Sequence, residues 1–267
     1  MEIVKTTEDI KSVVNNTIES GKIELINSTI TFCGEGNILV LEDGVKLVNS
    51  NIRFESDNSL IYLSSCYWGY SLEIQIYKNC VCSFGKNNYI NARMSLIIGE
   101  GMNFFCGKES LFAREVKIRT SDHHLIYDID SMKRINYGKS VYLGDHIWLA
   151  DGCRIFKGSM IGSGSIIGAG ATITNKVIGS NEMWAGTKRI KKKVCFLSAS
   201  PLKDYGAELE KYDELDNNKY IYSEEGQIIS FTDIEEKLQV MNVNDKKQYI
   251  KELYQNTSKN LFYIKSL

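Results

Sequence analysis

The sequence predicts a mainly β protein built as a parallel β-helix, with one long loop thrown out of it and a small α+β segment behind it. Three observations predict this. Between Val141 and Thr174 the chain reads VYLGDH IWLADG CRIFKG SMIGSG SIIGAG ATIT, and the third position of successive blocks is Leu143, Leu149, Ile155, Ile161, Ile167 and Ile173. Gly144, Gly158, Gly162, Gly164, Gly168 and Gly170 collect at the corner positions, where a backbone often needs the positive φ that glycine adopts cheaply. The same phase picks out Cys106, Phe112 and Ile118, then breaks over residues 120–138 before it resumes. A helix face repeats about every 3.6 residues and a half-buried strand about every 2. A period of six means short strands between tight corners, the mark of a hexapeptide solenoid.

The elements follow in order. Residues 1–21 read as an N-terminal cap with a short amphipathic helix, Thr7 capping a face of Ile10, Val13 and Val14. From Lys22 the runs KIELI, STITF, NILVL, VKLV, NIRF, LIYL and LEIQIY are strand-like and are broken by Asn, Asp, Ser or Gly. NSTITF at 27–32 and NSNIRF at 49–54 echo one another 22 residues apart, the length of one coil with a few added loop residues. The β-helix domain is therefore drawn over 22–196. Its early coils are degenerate and carry larger side chains such as Phe54, Tyr62 and Phe84. Residues 120–138, TSDHHLIYDIDSMKRINYG, are polar, charged and too long for a corner; long loops on rigid scaffolds usually carry function.

Beyond the last repeat the character changes. Residues 197–267 form an α+β extension: GAELEKYDELDN and NDKKQYIKELYQN read as helices, and KYIYSEEGQIISF as a hairpin turning at Glu224–Gly226. Thr232 and Glu235 make a capping box for a helix starting near Asp233. The extension is expected to dock near the C-terminal coils, with Ile228, Ile229, Ile234, Leu238, Ile250 and Leu253 as its core. Tyr220, Tyr222 and Tyr249 are candidates for sugar stacking or for packing.

Composition narrows the function. The formal charge of −1 offers no field for nucleic acid or an anionic membrane. Seven cysteines without a CxxC pair argue for reduced thiols in a cytoplasm. MEIVKTTEDIKSVV has no apolar run fit for a signal peptide or a membrane span. No second His stands at ligand spacing and no cysteines cluster, so no metal is expected.

The only histidines are His123, His124 and His146, two of them in the ejected loop. Imidazole is the usual general base for acyl transfer to a hydroxyl, because its pKa lies near the working pH. A single surface His is more simply a hydrogen-bonding residue, but a pair in a long loop just ahead of a hexapeptide run points to function. Trp148 stands one residue before an inward position and so is expected to point outward, as a binding or interface residue.

The hexapeptide pattern resembles that of the left-handed β-helix acyltransferases, which wind three hexapeptides into each coil. The loop makes the resemblance specific. Asp122-x-His124-Leu125-Ile126-Tyr127, Arg134-Ile135-Asn136 with Gly138-Lys139, Ile147-Trp148-Leu149 and Ile155-Phe156-Lys157-Gly158 are similar to motifs of the bacterial hexapeptide O-acetyltransferases. The likeness is to those that acetylate sialic acid or polysialic acid capsules. The family has Pro where this chain has Leu125.

This resemblance implies an acetyl-CoA-dependent O-acetyltransferase acting by direct transfer on a sialylated or other surface glycan. It implies a homotrimer with sites between subunits. His124 falls on the catalytic position, with Trp148 beside it at the mouth of the donor channel; His123 and His146 fall where the family varies. Ala185 and Gly186 match part of a coenzyme A-binding segment that in the family continues with Pro-Ala-Lys. Lys188 and Lys191, from the run KRIKKK, are candidate phosphate ligands, and Lys157 is counted with them. Gly168 and Ala169 would let the pantetheine arm approach the backbone. Asp122, Asp128 or a main-chain carbonyl is left open as the group that orients His124. Two other readings remain: N-acetylation of an amino sugar or drug, and a non-catalytic β-helix that binds or assembles.

Overall fold

The computed structural model describes residues 1–198 and 213–266. Its body is the predicted parallel β-helix, about seven coils wound into three faces. Face A stacks eight strands from Thr17–Ser20 and Ile38–Leu41 down to Met160–Ile161 and Val177–Ile178. Face B holds Tyr89–Ile90, Leu111–Phe112, Trp148–Leu149, Ile166–Ile167, Glu182–Ala185 and Lys188–Lys192; on the earlier coils Glu24–Ile26 pairs with Lys46–Val48 there. Face C runs from Thr29–Phe32 and Asn51–Phe54 to Arg154–Phe156 and Thr172–Ile173. The chain visits A, then B, then C, and repeats. Thr29 pairs with Asn51 and Phe32 with Phe54, so the echoed segments lie one above the other.

Burial follows the six-residue phase. Leu143, Leu149, Ile155, Ile161, Ile167 and Ile173 are all fully buried, as are Cys106, Phe112 and Ile118. In the upper coils Phe32, Phe54, Phe84 and Phe104 fill the same interior, Phe32 stacking on Phe54 with centroids 4.7 Å apart. Tyr62 departs from expectation. It faces outward on face A, and its hydroxyl donates to Glu42 Oε1 at 2.7 Å.

The corners explain the degenerate early repeats. Asn27, Asn49, Asn58, Asn79 and Asn87 take the left-handed conformation there, which Asn tolerates better than most residues. Of the seven glycines in the regular stretch, Gly152, Gly158, Gly164 and Gly170 have positive φ. Gly144 serves close approach instead: a Cβ on it would lie 2.7 Å from Ser163 N.

Both ends differ from the sequence expectation. The N-terminus is a strand, Glu2–Val4, set antiparallel on Thr29–Phe32, followed by a 3₁₀ turn, Glu8–Ser12, that Thr7 does not cap. Ile10 and Val13 pack on the core, Val14 is exposed, and the coils start at Thr17 rather than Lys22. At the other end, residues 206–212 of the first predicted tail helix lie outside the described residues, and 213–217 are not helical. No hairpin forms at 219–231. Helix α1, Phe231–Val240, starts earlier than predicted, with Ser230 as its cap. Helix α2, Val243–Gln255, is capped by Asn242, whose side chain accepts from Asn244 N and Asp245 N.

The tail docks along the whole of face A rather than on its last coils. Ile38, Val40, Leu60, Tyr62, Val81, Phe105 and Tyr142 project outward from that face and pack on Phe231, Ile234, Leu238, Ile250, Leu253 and Phe262. Ile228 stays exposed, whereas Ile229 packs against this cluster. Phe231 stacks on Tyr142 at 5.2 Å, and Glu235, far from forming a capping box, accepts the Tyr142 hydroxyl. Residues 262–266 then run down to the last coils, where Ile264 N donates to Ser180 Oγ and Ser266 bonds buried Glu182. No helix among the described residues is long and apolar enough to cross a membrane.

Candidate active site

The ejected loop leaves the corner between face C and face A, after strand Lys117–Arg119 and before Val141–Leu143. It is stapled there rather than loose. Asn136 is its hub, and one buried amide makes four bonds. Its Nδ2 donates to the His124 carbonyl at 2.8 Å and to Asp122 Oδ2 at 2.9 Å; its Oδ1 accepts from Ile126 N at 2.9 Å and Arg134 Nε at 3.2 Å. Coils on both sides hold the same base. Glu100 takes the Arg134 guanidinium at 2.7 Å and Gly138 N at 3.0 Å. Lys157, one coil further on, pairs with Asp122 and donates to the Asn136 carbonyl at 3.2 Å. The Lys157 ammonium beside Asp122 holds that carboxyl below its usual range.

This frame fixes the backbone of His124 while its side chain stands in solvent. Neither aspartate considered as its orienter is turned to it: Asp122 engages Lys157 and Asn136, and Asp128 accepts from Ser131 N at 2.7 Å in a local turn. Leu125, Ile126, Tyr127, Ile129, Met132, Ile135 and Tyr137 are all exposed on the same loop. An apolar surface of that extent marks an interaction face. Asn136 and Arg134 lay within the recognised motif, but Glu100 is too distant in sequence for any local signal to have named it.

His146 has a different part. It is buried between two rings, Phe196 at 4.0 Å and Tyr220 at 3.6 Å, each stacked nearly parallel to it. Its Nδ1 lies 3.1 Å from the Glu109 carbonyl oxygen and its Nε2 2.9 Å from that of Phe196. Burial holds its pKa below the ordinary imidazole value. The residue fastens the tail to the corner between faces A and B. Tyr220 is thereby a packing residue, and Tyr222 is buried.

Trp148 projects from face B and is 39% exposed, with Phe196 tilted against it at 5.6 Å. Its strand pairs directly with Ile166–Ile167, and that strand with Met183–Trp184. Most of the candidate coenzyme A residues gather here. Gly168 and Ala169 form the corner that follows, where a Cβ on Gly168 would lie 3.2 Å from Trp184 O. Ala185 and Gly186 lead into a tight turn, Gly186 at φ +58°, and Lys188 and Lys191 lie on the exposed strand that returns antiparallel on Glu182–Ala185. Lys157 stands apart from this group, on the loop side of the coil.

The chain is thus a coil stack with a hexapeptide phase, a stapled loop bearing an exposed imidazole and an outward Trp. No family model matches the chain. A polysialic acid O-acetyltransferase of Neisseria meningitidis is 29% identical to it over 132 residues, which are 49% of this chain and 60% of that relative. The crystal structure of the polySia-specific acetyltransferase NeuO superimposes with a TM-score of 0.65 at 29% identity, covering 75% of this chain and 84% of that one. The polysialic acid O-acetyltransferase OatWY, at 22% identity and a TM-score of 0.54, shares the fold over 78% of this chain and 96% of its own. The chain is similar to acetyltransferases named for polysialic acid and shares their β-solenoid fold.

Proposed function

We propose that this protein transfers the acetyl group of acetyl-CoA to a hydroxyl of a sialic acid-containing surface glycan, with His124 as general base. The observation that carries this reading is the loop itself: an exposed imidazole on a backbone fixed by Asn136, Lys157 and Glu100, in a chain whose relatives are named for this reaction. His124 takes the proton of the sugar hydroxyl as its oxygen attacks the thioester carbonyl. The tetrahedral intermediate expels coenzyme A as thiolate, and the imidazolium returns the proton to that sulfur, so no acyl-enzyme is needed. Coenzyme A belongs along face B, over Trp148 and the small residues Gly168, Ala169, Ala185 and Gly186, with Lys188 and Lys191 offered to its phosphates.

The two halves of this site lie apart in one protomer. The loop leaves the corner between faces C and A, and Trp148 lies on face B, opposite that corner. A site that uses both is built from two protomers, and the exposed apolar loop is suited to cover a neighbour's face B. This supports a homotrimer with one site at each junction, working in the cytoplasm where acetyl-CoA is made. The test is thiol release from acetyl-CoA with sialylated and neutral glycans as acceptors, together with alkali-labile acetate on the product. Release with sialylated acceptors supports the reading; release with amines alone would replace it with N-acetylation, and no release with any acceptor would refute catalysis.

A further inference from the structure

Three coils above Trp148, also on the face B side, the chain makes a second departure from the repeat at Ser64–Gly69. This loop is braced as firmly as the catalytic one. Glu42 accepts from Ser65 N at 3.0 Å and Ser65 Oγ at 3.3 Å, Cys66 is buried, and the Tyr70 hydroxyl donates to Ser64 O at 2.8 Å. The bracing presents Tyr67 and Trp68 to solvent, 79% and 61% exposed. Their rings meet edge to face at 4.9 Å, and Trp68 meets Tyr89 of the next coil in the same way at 5.4 Å. The Trp68 ring, nearly perpendicular to both tyrosines, makes with them a fixed corner of aromatic walls. It has no role in the core and none in the proposed chemistry.

Polar groups edge this corner. The recess beside Trp68 is lined by Asn49, Ser71, Asn91 and Arg93. Asn91 accepts the Tyr89 hydroxyl at 3.2 Å, and Arg93 is about half-exposed with a loose 3.6 Å contact to Glu73. Aromatic walls take the C–H faces of a pyranose, amides and hydroxyls take its hydroxyl groups, and a guanidinium takes a carboxylate. The combination suits an acidic sugar better than a protein or a neutral glycan. The position suits a polymer. Tyr89 pairs with Leu111 and Leu111 with Trp148, so Tyr89 at the corner's lower edge lies two strand spacings, roughly 10 Å, from Trp148 along one face.

We infer that Tyr67, Trp68 and Tyr89, with Arg93, form an accessory subsite that holds a sialic acid polymer several residues away from the unit being acetylated. This rests on the acceptor reading above and adds a dependence on chain length to it. A short acceptor fills only the catalytic junction; a long one also engages the aromatic corner.

The experiment compares Trp68→Ala, Tyr67→Ala and Trp68→Phe with the wild type, titrating α-linked sialic acid oligomers of graded length by calorimetry and measuring thiol release with the same acceptors. Trp68→Ala is expected to raise Kd and KM for long polymer about tenfold, leaving kcat, the short-acceptor KM and the acetyl-CoA KM unchanged, with Trp68→Phe recovering most of the loss. Wild-type affinity for long polymer in Trp68→Ala overturns the inference alone, provided the wild type binds and acetylates. Dissociation of the oligomer in that variant also overturns it, assigning the rings to a subunit contact. A wild type that binds no sialic acid polymer of any length overturns both this inference and the acceptor reading.

Discussion

His124 and Trp148 belong to opposite sides of the same solenoid: the first rides a loop from the corner between faces C and A, and the second projects from face B. If one active site needs both, they come from different protomers. His124→Ala and Trp148→Ala are each expected to be poorly active alone. When the two are mixed and refolded or co-expressed, a fraction of the activity returns, because some junctions then carry an intact His124 facing an intact Trp148. Activity that stays at the level of the single variants would place the whole site within one chain.

Asn136 is a positioning residue. Its amide ties the His124 backbone to Ile126, Arg134 and Asp122 at once. Asn136→Ala leaves four partners short of one bond each, at about 1–3 kcal/mol for a buried polar group. The loop lies outside the core, so the melting temperature should fall little while kcat falls roughly 10- to 100-fold. An acetyl-CoA KM that rises instead, with kcat kept, would contradict the assignment.

Asp145 supplies a pH dependence. It is fully buried, accepts from Lys108 N at 2.9 Å, and burial pushes its carboxyl up to about 6. A carboxyl whose folded pKa exceeds its unfolded value stabilises the fold when protonated and loses that contribution as pH rises through the folded value. Asp145→Asn is therefore expected to be more stable than the wild type at pH 8, on the order of 3 kcal/mol for a shift from 3.8 to about 6. Denaturant unfolding at a series of pH values checks this: the gap should narrow as pH falls from 6 towards 4. A gap that does not change with pH would show that the carboxylate is not desolvated.

The tail is part of the folded body through Phe231, which stacks on Tyr142 at 5.2 Å and on Phe262 at 5.6 Å. Phe231→Ala should cost about 3–5 kcal/mol. The loss should appear as one shifted transition rather than as a second, earlier one. Two separate transitions would mean that the helices fold independently of the coils.

The lower coils were legible because Leu, Ile and Gly repeat at fixed places. The upper coils were harder because Asn does the work of glycine at their corners and Phe the work of Ile inside. Where the tail docks was not read, although a signal existed. NILVL and LIYL lack the alternation of a strand with one wet side, and Ile38–Leu41 and Leu60–Leu63 are indeed buried on both. His124 was legible through its motif. The frame around it depends on Glu100 and Lys157 from neighbouring coils, contacts that exist only once the solenoid is wound. The buried place of His146 was not legible, because its ring partners Phe196 and Tyr220 are separated from it by tens of residues and carried no pattern.

The most direct test of the central claim compares His124→Ala with His123→Ala in acetyl-CoA-dependent transfer to a sialic acid glycan. Loss of a general base costs about 10²–10⁴-fold in rate. The account predicts that loss in kcat for His124→Ala, with melting temperature and oligomeric state unchanged, and near wild-type turnover for His123→Ala. Equal losses in both variants, or a larger loss from His123→Ala, would contradict it.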